Sequence, residues 1–510
     1  MRKLFHILLI SILLSNPAFA EGFDNILPAN PVLPQPLPVN TIAIPVKKAT
    51  LTHNSLHNQY VIAFDRFMQS NVKSSYRDFK NLIETMDEND YAYMKMAENM
   101  ADIGFFNLSD LAVSKIEDKA LSDALIADIK LYYSPSKKLK PDDEIYLGEV
   151  FSNIVYNDQS REATYELVKD TALLGESDYA NYLVALGYLK SNDFVEAGTY
   201  IDVAIKMNSQ NLNYKKLKAE ILSQGKKPQN ALKIVDFIKS QNLYTADFSR
   251  KVNSLEQYVL YKSNKNYSDK MYHLGYYYYF ENENAKAIRS LQSALTTKKK
   301  HNKDVYAILS RVYFDTQDYE KAQDTALKAN KIDSNDSIAL LVLGDLKFRT
   351  GDYKSALKYY KNAEANDKIS SICSVKVAQT YEQLGKEKKA VEIYEKILKT
   401  YTDSWVAYYK IALKDKSKEF AYLKKSVAIN MNYKDAWLDL GRVELERGNF
   451  FEAKKYLGVA HYIDENDFRY YYYLGLIAKN QGMKQDATKY FKKSLLLNPQ
   501  YVPAKEELNI

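Results

Sequence analysis

Residues 471–499 read YYYLGLIAKNQGMKQDATKYFKKSLLLNP, and the spacing of small and large side chains within them decides the fold. Tyr471-x2-Leu474-Gly475 is followed by Ala487-x3-Phe491, then by Ser494 and Asn498-Pro499. Two antiparallel helices pack closely only where a small side chain lets the backbones approach, and large residues must then fill the flanks. Gly475, Ala487 and Ser494 are the small points of such a pair, and the same ruler fits much of the chain. Its first mark falls on Ala185 and Ala219, on Ser310, Gly344, Ala378 and Ala412, and on Gly441 and Gly475, with steps of 34 inside each group. From Gly275 to Ser310 the step is 35. Twelve positions after most of these marks stand Ala197, Ala231, Ala287, Ala322, Ala356, Ala390, Ala453 and Ala487. Seven further on stand Ala204, Ala294, Ala329, Ala363, Ala460 and Ser494. A fixed period of this length implies stacked supersecondary units, each burying its apolar face against the next.

Large residues keep helical spacing around the small ones: Met271, Leu274, Tyr278 and Leu291; Tyr306, Leu309 and Tyr313; Leu340, Leu343 and Tyr360; Val377, Tyr381 and Tyr394; Trp437, Leu440 and Leu457. At these residues the chain resembles the tetratricopeptide repeat family, clearly from about 270 to 503, less so from 145 to 240, and faintly from 58 to 130. Glu444 and Ala478 depart from the family's tyrosine, most units lack its terminal proline, and the unit near Ala412 is about five residues short before Gly441. Turns instead carry Asp333-Ser334-Asn335-Asp336, Asp403-Ser404 and Asp464-Glu465-Asn466-Asp467, which can cap the helix that follows. The expected fold is therefore all-α, an α-solenoid of antiparallel helix pairs, right-handed as the resemblance implies.

Composition agrees with long helices and short turns: among 510 residues there are only 16 glycines and 12 prolines, against 44 tyrosines and 20 phenylalanines. An apolar share of 46% with 26% charged residues excludes a disordered chain, a collagen-like chain and a multi-span membrane protein. Arg2 and Lys3, the apolar stretch Leu4 to Leu14, and Ala18-Phe19-Ala20 read as a secretory signal, residues 1–20, cleaved after Ala20. That stretch is too short to span a hydrocarbon core of about 30 Å, no later stretch is apolar enough, and Cys373 is the only cysteine, so the expectation is an exported bacterial protein, periplasmic or extracellular. Residues 21–57 follow as a proline-rich linker with Pro28, Pro31, Pro34, Pro36, Pro38 and Pro45. Degenerate helical repeats are expected over 58–134, repeats ending in a degenerate unit over 142–268, and the regular array over 269–510, with Pro135 and Pro141 marking a break.

The formal net charge is +7, and loss of Arg2 and Lys3 with the signal leaves 69 basic against 64 acidic residues, interleaved, which is a solvated surface and no footprint for nucleic acid. Lys298, Lys299, Lys300 and Lys303 read as a hydrated turn. Signatures of hydrolases, kinases, P-loop proteins and zinc proteases are missing. His53-x3-His57 has no third metal ligand nearby, Asp333-x-Asn335-x-Ser337 lacks the glycine and closing glutamate of a calcium loop, and Cys373 reads as a core residue. No enzyme, cofactor or metal site is expected.

The tyrosine surplus remains. Four consecutive helical residues point about 100° apart, so Tyr276-Tyr277-Tyr278-Tyr279 and Tyr470-Tyr471-Tyr472-Tyr473 must each show rings outside the core. In the family the first helix of each pair lines the concave groove. Counted from the small residue, Tyr272, Tyr276 and Tyr279, Arg311 and Phe314, Phe348 and Arg349, Arg442, and Tyr472 are then candidate partner-binding residues. Rigid rings with interspersed arginines are typical of binding hot spots. The resemblance implies a scaffold that binds an extended peptide or partner domain. A cell-envelope adaptor that stacks its rings on a polysaccharide is the alternative. Adaptors of this family that read a C-terminal carboxylate use paired lysines and asparagines on first helices, a set absent from these positions.

Overall fold

The computed structural model describes residues 53–510, apart from 87–89, 158, 225–227, 242–245, 296–301, 367–370, 402–403 and 431–432. The signal, the prolines of the linker and Lys298 to Lys300 lie outside the described residues, as do the side chains of His53 and His57. Among the described residues there are 28 helices and no strand. The solenoid is the fold expected from the repeat.

Nine helix pairs carry the period: Asp178–Lys190 with Phe194–Met207, Leu212–Gln224 with Pro228–Lys239, Tyr267–Phe280 with Asn284–Ala294, Asn302–Asp315 with Tyr319–Ile332, Ser337–Arg349 with Tyr353–Asn366, Ile372–Gln383 with Glu387–Thr400, Trp405–Ala412 with Glu419–Ile429, Lys434–Glu446 with Phe450–Ile463, and Phe468–Asn480 with Lys484–Leu497. A short helix, Val502–Leu508, covers the end. Within a pair the first small residue faces a large one sixteen positions later: a Cβ added at Gly344 would lie 2.4 Å from the Tyr360 ring, and one at Gly475 would lie 2.5 Å from Phe491. Ala197, Ala231, Ala287, Ala322 and Ala356 are wholly buried, so close approach recurs from unit to unit. Caps behave as their residues dictate. Asp336 accepts the Ala339 N–H at 2.9 Å, and Asp467 accepts that of Arg469 at 2.9 Å.

Among the described residues the first helix begins at His53, inside the stretch expected as linker, because the apolar positions Tyr60, Ala63, Phe64 and Phe67 already form its buried face. Helices His53–Met68, Val72–Thr85, Asp90–Asp102, Phe106–Val113 and Lys119–Tyr132 make a first block. Pro141 starts helix Pro141–Val155 in its first turn, where a missing N–H costs nothing. That helix packs directly on the first block, its Phe151 ring 6.1 Å from Phe67 and its Gly148 against the Phe105 ring. Between Pro228–Lys239 and Tyr267–Phe280 the described residues hold one long helix, Ala246–Ser263. Helix Lys119–Tyr132 touches both Leu212–Gln224 and Glu419–Ile429, and Asp90–Asp102 touches Phe450–Ile463. One apolar cluster accordingly joins residues 60–129 with residues 409–477. The solenoid closes on itself.

Candidate interaction groove

Helix Tyr267–Phe280 is held at its start by Asn266, whose side chain accepts from the backbone N–H of Ser268 and Asp269. Along it Tyr272 and Tyr276 are half-buried, their ring centroids 6.1 Å apart, and Tyr276 stacks on Phe280 at 4.8 Å and 18°. Burial pushes the Tyr276 hydroxyl up to about 12. Tyr279 departs from the expectation of an exposed ring: it is 7% exposed and its hydroxyl donates to Asp315 at 2.8 Å. The neighbouring helix Asn302–Asp315 covers it, because each first helix lies against the next.

Arg311 stands one position after Ser310 and is bound on both sides. Its guanidinium pairs with Asp315 at 3.0 Å in its own helix and with Asp345 at 3.3 Å in the next unit. Burial opposes that charge, but the two carboxylates outweigh it and hold the pKa above its ordinary value. Asp345 also accepts from Tyr360 at 2.7 Å and from Lys376 at 2.6 Å. Burial pushes the Lys376 amine down to about 8, with Asp345 pulling the other way. Tyr279, Asp315, Arg311, Asp345 and Lys376 therefore form one polar ladder across four successive first helices.

Beside the ladder, Phe314 meets the edge of Tyr319 at 5.5 Å, and exposed Arg349 lies 4.1 Å over that same ring. Phe348 packs half-buried against Tyr353 at 5.2 Å. Tyr272, Tyr276, Arg311, Phe314, Phe348 and Arg349 thus fall on three consecutive units, with Arg311 close enough to act on the Tyr276 hydroxyl. Arg442 and Tyr472 are elsewhere. Arg442 is committed to Glu419 at 2.6 Å, Asp439 at 3.1 Å and Glu446 at 2.7 Å. Tyr472 turns away from it, toward Tyr501 at 5.2 Å and Phe491 at 6.0 Å, because the terminal helix covers this side of the last unit. Tyr473, one position on, feels both Asp439 and Arg442.

Reading the sequence for exposed rings missed Asp315, Asp345 and Lys376. A signal for the pair was present: Arg311 and Asp345 are of opposite charge, 34 apart, each directly after the small residue of its helix.

Models of the tetratricopeptide repeat match residues 468–501, 309–370 and 341–404. A TPR repeat-containing protein, YpiA, of Bacillus subtilis (strain 168) is 23% identical over 195 residues, covering 36% of this chain and 45% of that protein. The chain thus spans less than half the length of this curated relative. Among solved structures, MamA is 28% identical, covering 31% of this chain and 96% of its own with a TM-score of 0.27. YrrB, described as a TPR protein with an unusual peptide-binding site, is 18% identical, covering 36% and 98% with a TM-score of 0.30. The Cut9-Hcn1 hetero-tetramer of the APC/C is 13% identical, covering 89% and 96% with a TM-score of 0.45. The fold is that of an α-solenoid built from helical hairpins. Within that class, residues 309–404 and 468–501 match the tetratricopeptide repeat.

Proposed function

We propose that the chain is an exported, non-enzymatic scaffold that binds an extended protein segment along the first helices of the units between residues 267 and 349. The observation that carries this reading is the half-buried pair Tyr272 and Tyr276 beside the Phe314, Tyr319 and Arg349 cluster, whose arginine is exposed. Rings held by packing lose little side-chain entropy on binding, and an arginine fixed over a ring presents its remaining donors to a backbone carbonyl or carboxylate. Arg311 and Lys376 act differently. Their charges are already answered by Asp315 and Asp345, so they stiffen the surface and leave recognition to the rings and Arg349. Residues 1–20 supply the export signal in this reading. No helix among the described residues is long and apolar enough to cross a membrane.

The test is cross-linking in intact cells followed by affinity capture from the exported fraction, using the full chain and a Tyr272→Ser, Tyr276→Ser, Arg349→Ala variant. The captured chain should begin at Glu21 by N-terminal sequencing, and the variant should lose the partner while keeping its helicity. Recovery of Met1 in the cytosolic fraction would overturn the export reading. Undiminished capture by the variant would overturn the groove reading. If removing the rings abolishes capture and Arg349→Ala alone has no effect, a sugar ligand replaces the protein.

A further inference from the structure

Units of a solenoid need touch only their neighbours, so a contact between its two ends is not required by the repeat. Here Lys455 and Glu117 pair across 338 positions, and Lys424 pairs with Asp118. The first block's side of this seam is acidic. The first block brings Asp90, Glu117 and Asp118, and the repeats bring the two lysines together with Glu452. Asp90 fixes the acidic edge by accepting the backbone N–H of Glu117 at 2.9 Å and of Asp118 at 3.0 Å, immediately before helix Lys119–Tyr132. Trp437, Tyr456 and Val459 line the same cavity beneath the charges.

Val459 shows that the repeats are covered here. It stands six positions after the small residue of its second helix, where the array elsewhere carries Ser293, Lys328, Asn362, Lys396 and Lys493. Two earlier units do place apolar residues there, but Val203 is 39% exposed and Phe237 is 45% exposed. Val459 is 2% exposed. The outer face of this one unit is thus apolar and buried at the place where the first block lies on it.

We propose that the acidic edge of the first block and the units at residues 419–463 form a separable clasp, closing the solenoid into a ring, with Lys424 and Lys455 as the residues that read the acidic edge. The clasp is independent of the groove reading. Partly exposed ion pairs are individually weak and are screened by salt, so closure rests on several small electrostatic terms beside the apolar cluster shared by residues 60–129 and 409–477, and this seam is where the ring opens. Opening uncovers Trp437, Tyr456 and Val459 while every helix pair stays intact.

The experiment uses the full chain with Lys424→Glu and Lys455→Glu together, read by small-angle scattering and amide hydrogen exchange, with circular dichroism as the check on folding. The expected result is a larger radius of gyration and at least tenfold faster exchange confined to residues 116–122 and 455–463, at unchanged helicity. Adding Glu117→Lys and Asp118→Lys to the same chain should restore the compact form, and raising salt toward about 1 M should open the wild-type chain in the same way. If the lysine variant unfolds outright, the charge-swapped chain decides alone: a compact, protected seam supports the clasp. An unchanged radius and unchanged exchange in the lysine variant, or a charge-swapped chain that stays open, would overturn it.

Discussion

Asp345 holds three partners at once, accepting from Tyr360 and balancing both Arg311 and Lys376 while only 5% of it is exposed. A buried carboxylate in that position is an organising charge: without it Arg311 and Lys376, on the units either side, lose their shared partner. Asp345→Ala should therefore destabilise the chain by about 3–5 kcal/mol, the usual cost of stranding a buried charge. Urea unfolding measures it, and a loss below about 1 kcal/mol would mean that water or Asp315 already answers the cations. This scale was the least legible in the sequence. Arg311 could be singled out from its register, but its pairing had to be read one repeat away, at Asp345 in the matching position. Tyr279 misled for the same reason: counting from the small residue gives a direction, and the neighbouring helix decides whether that direction is open.

Helix pairs were the most legible part, because close packing at small residues writes a period into the chain. The structure adds a second mark that the sequence reading did not use. Asn192, Asn282, Gln317, Gly351, Gly385, Gly448 and Gly482 all have positive φ and each lies seven positions after the small residue, at the turn between helices. Glycine or asparagine tolerates that left-handed conformation, so the residue type varies while the geometry repeats. Glu444, which departs from the family's tyrosine, is buried and receives Arg447 at 2.7 Å and Asn449 at 2.6 Å, so an anchored turn replaces a packed ring. Gly441 tests the packing itself. A Cβ there would lie 2.6 Å from Leu457, so Gly441→Leu should overpack one unit and cost about 1–3 kcal/mol. Hydrogen exchange should loosen around residues 430–470 and leave the units near 310–360 protected. Uniform loosening would contradict a stack of neighbour-coupled units.

At the scale of the whole molecule the repeat says how units stack but not where the stack returns. Closure depends on non-periodic residues such as Asp118, Lys424 and Val459, which look like ordinary surface choices until the first block is placed against them. The proposed interaction surface is likewise a property of the assembly: Tyr276, Phe314 and Arg349 come from three helices of successive units. The most direct test of that face is site-specific photo-cross-linking in the full chain, with a photoreactive residue in place of Tyr276 and, separately, in place of the exposed Lys328 on a second helix. A discrete cross-linked protein is expected from position 276 and none from position 328. Cross-linking from 328 alone, or equally from both, would contradict the proposed surface.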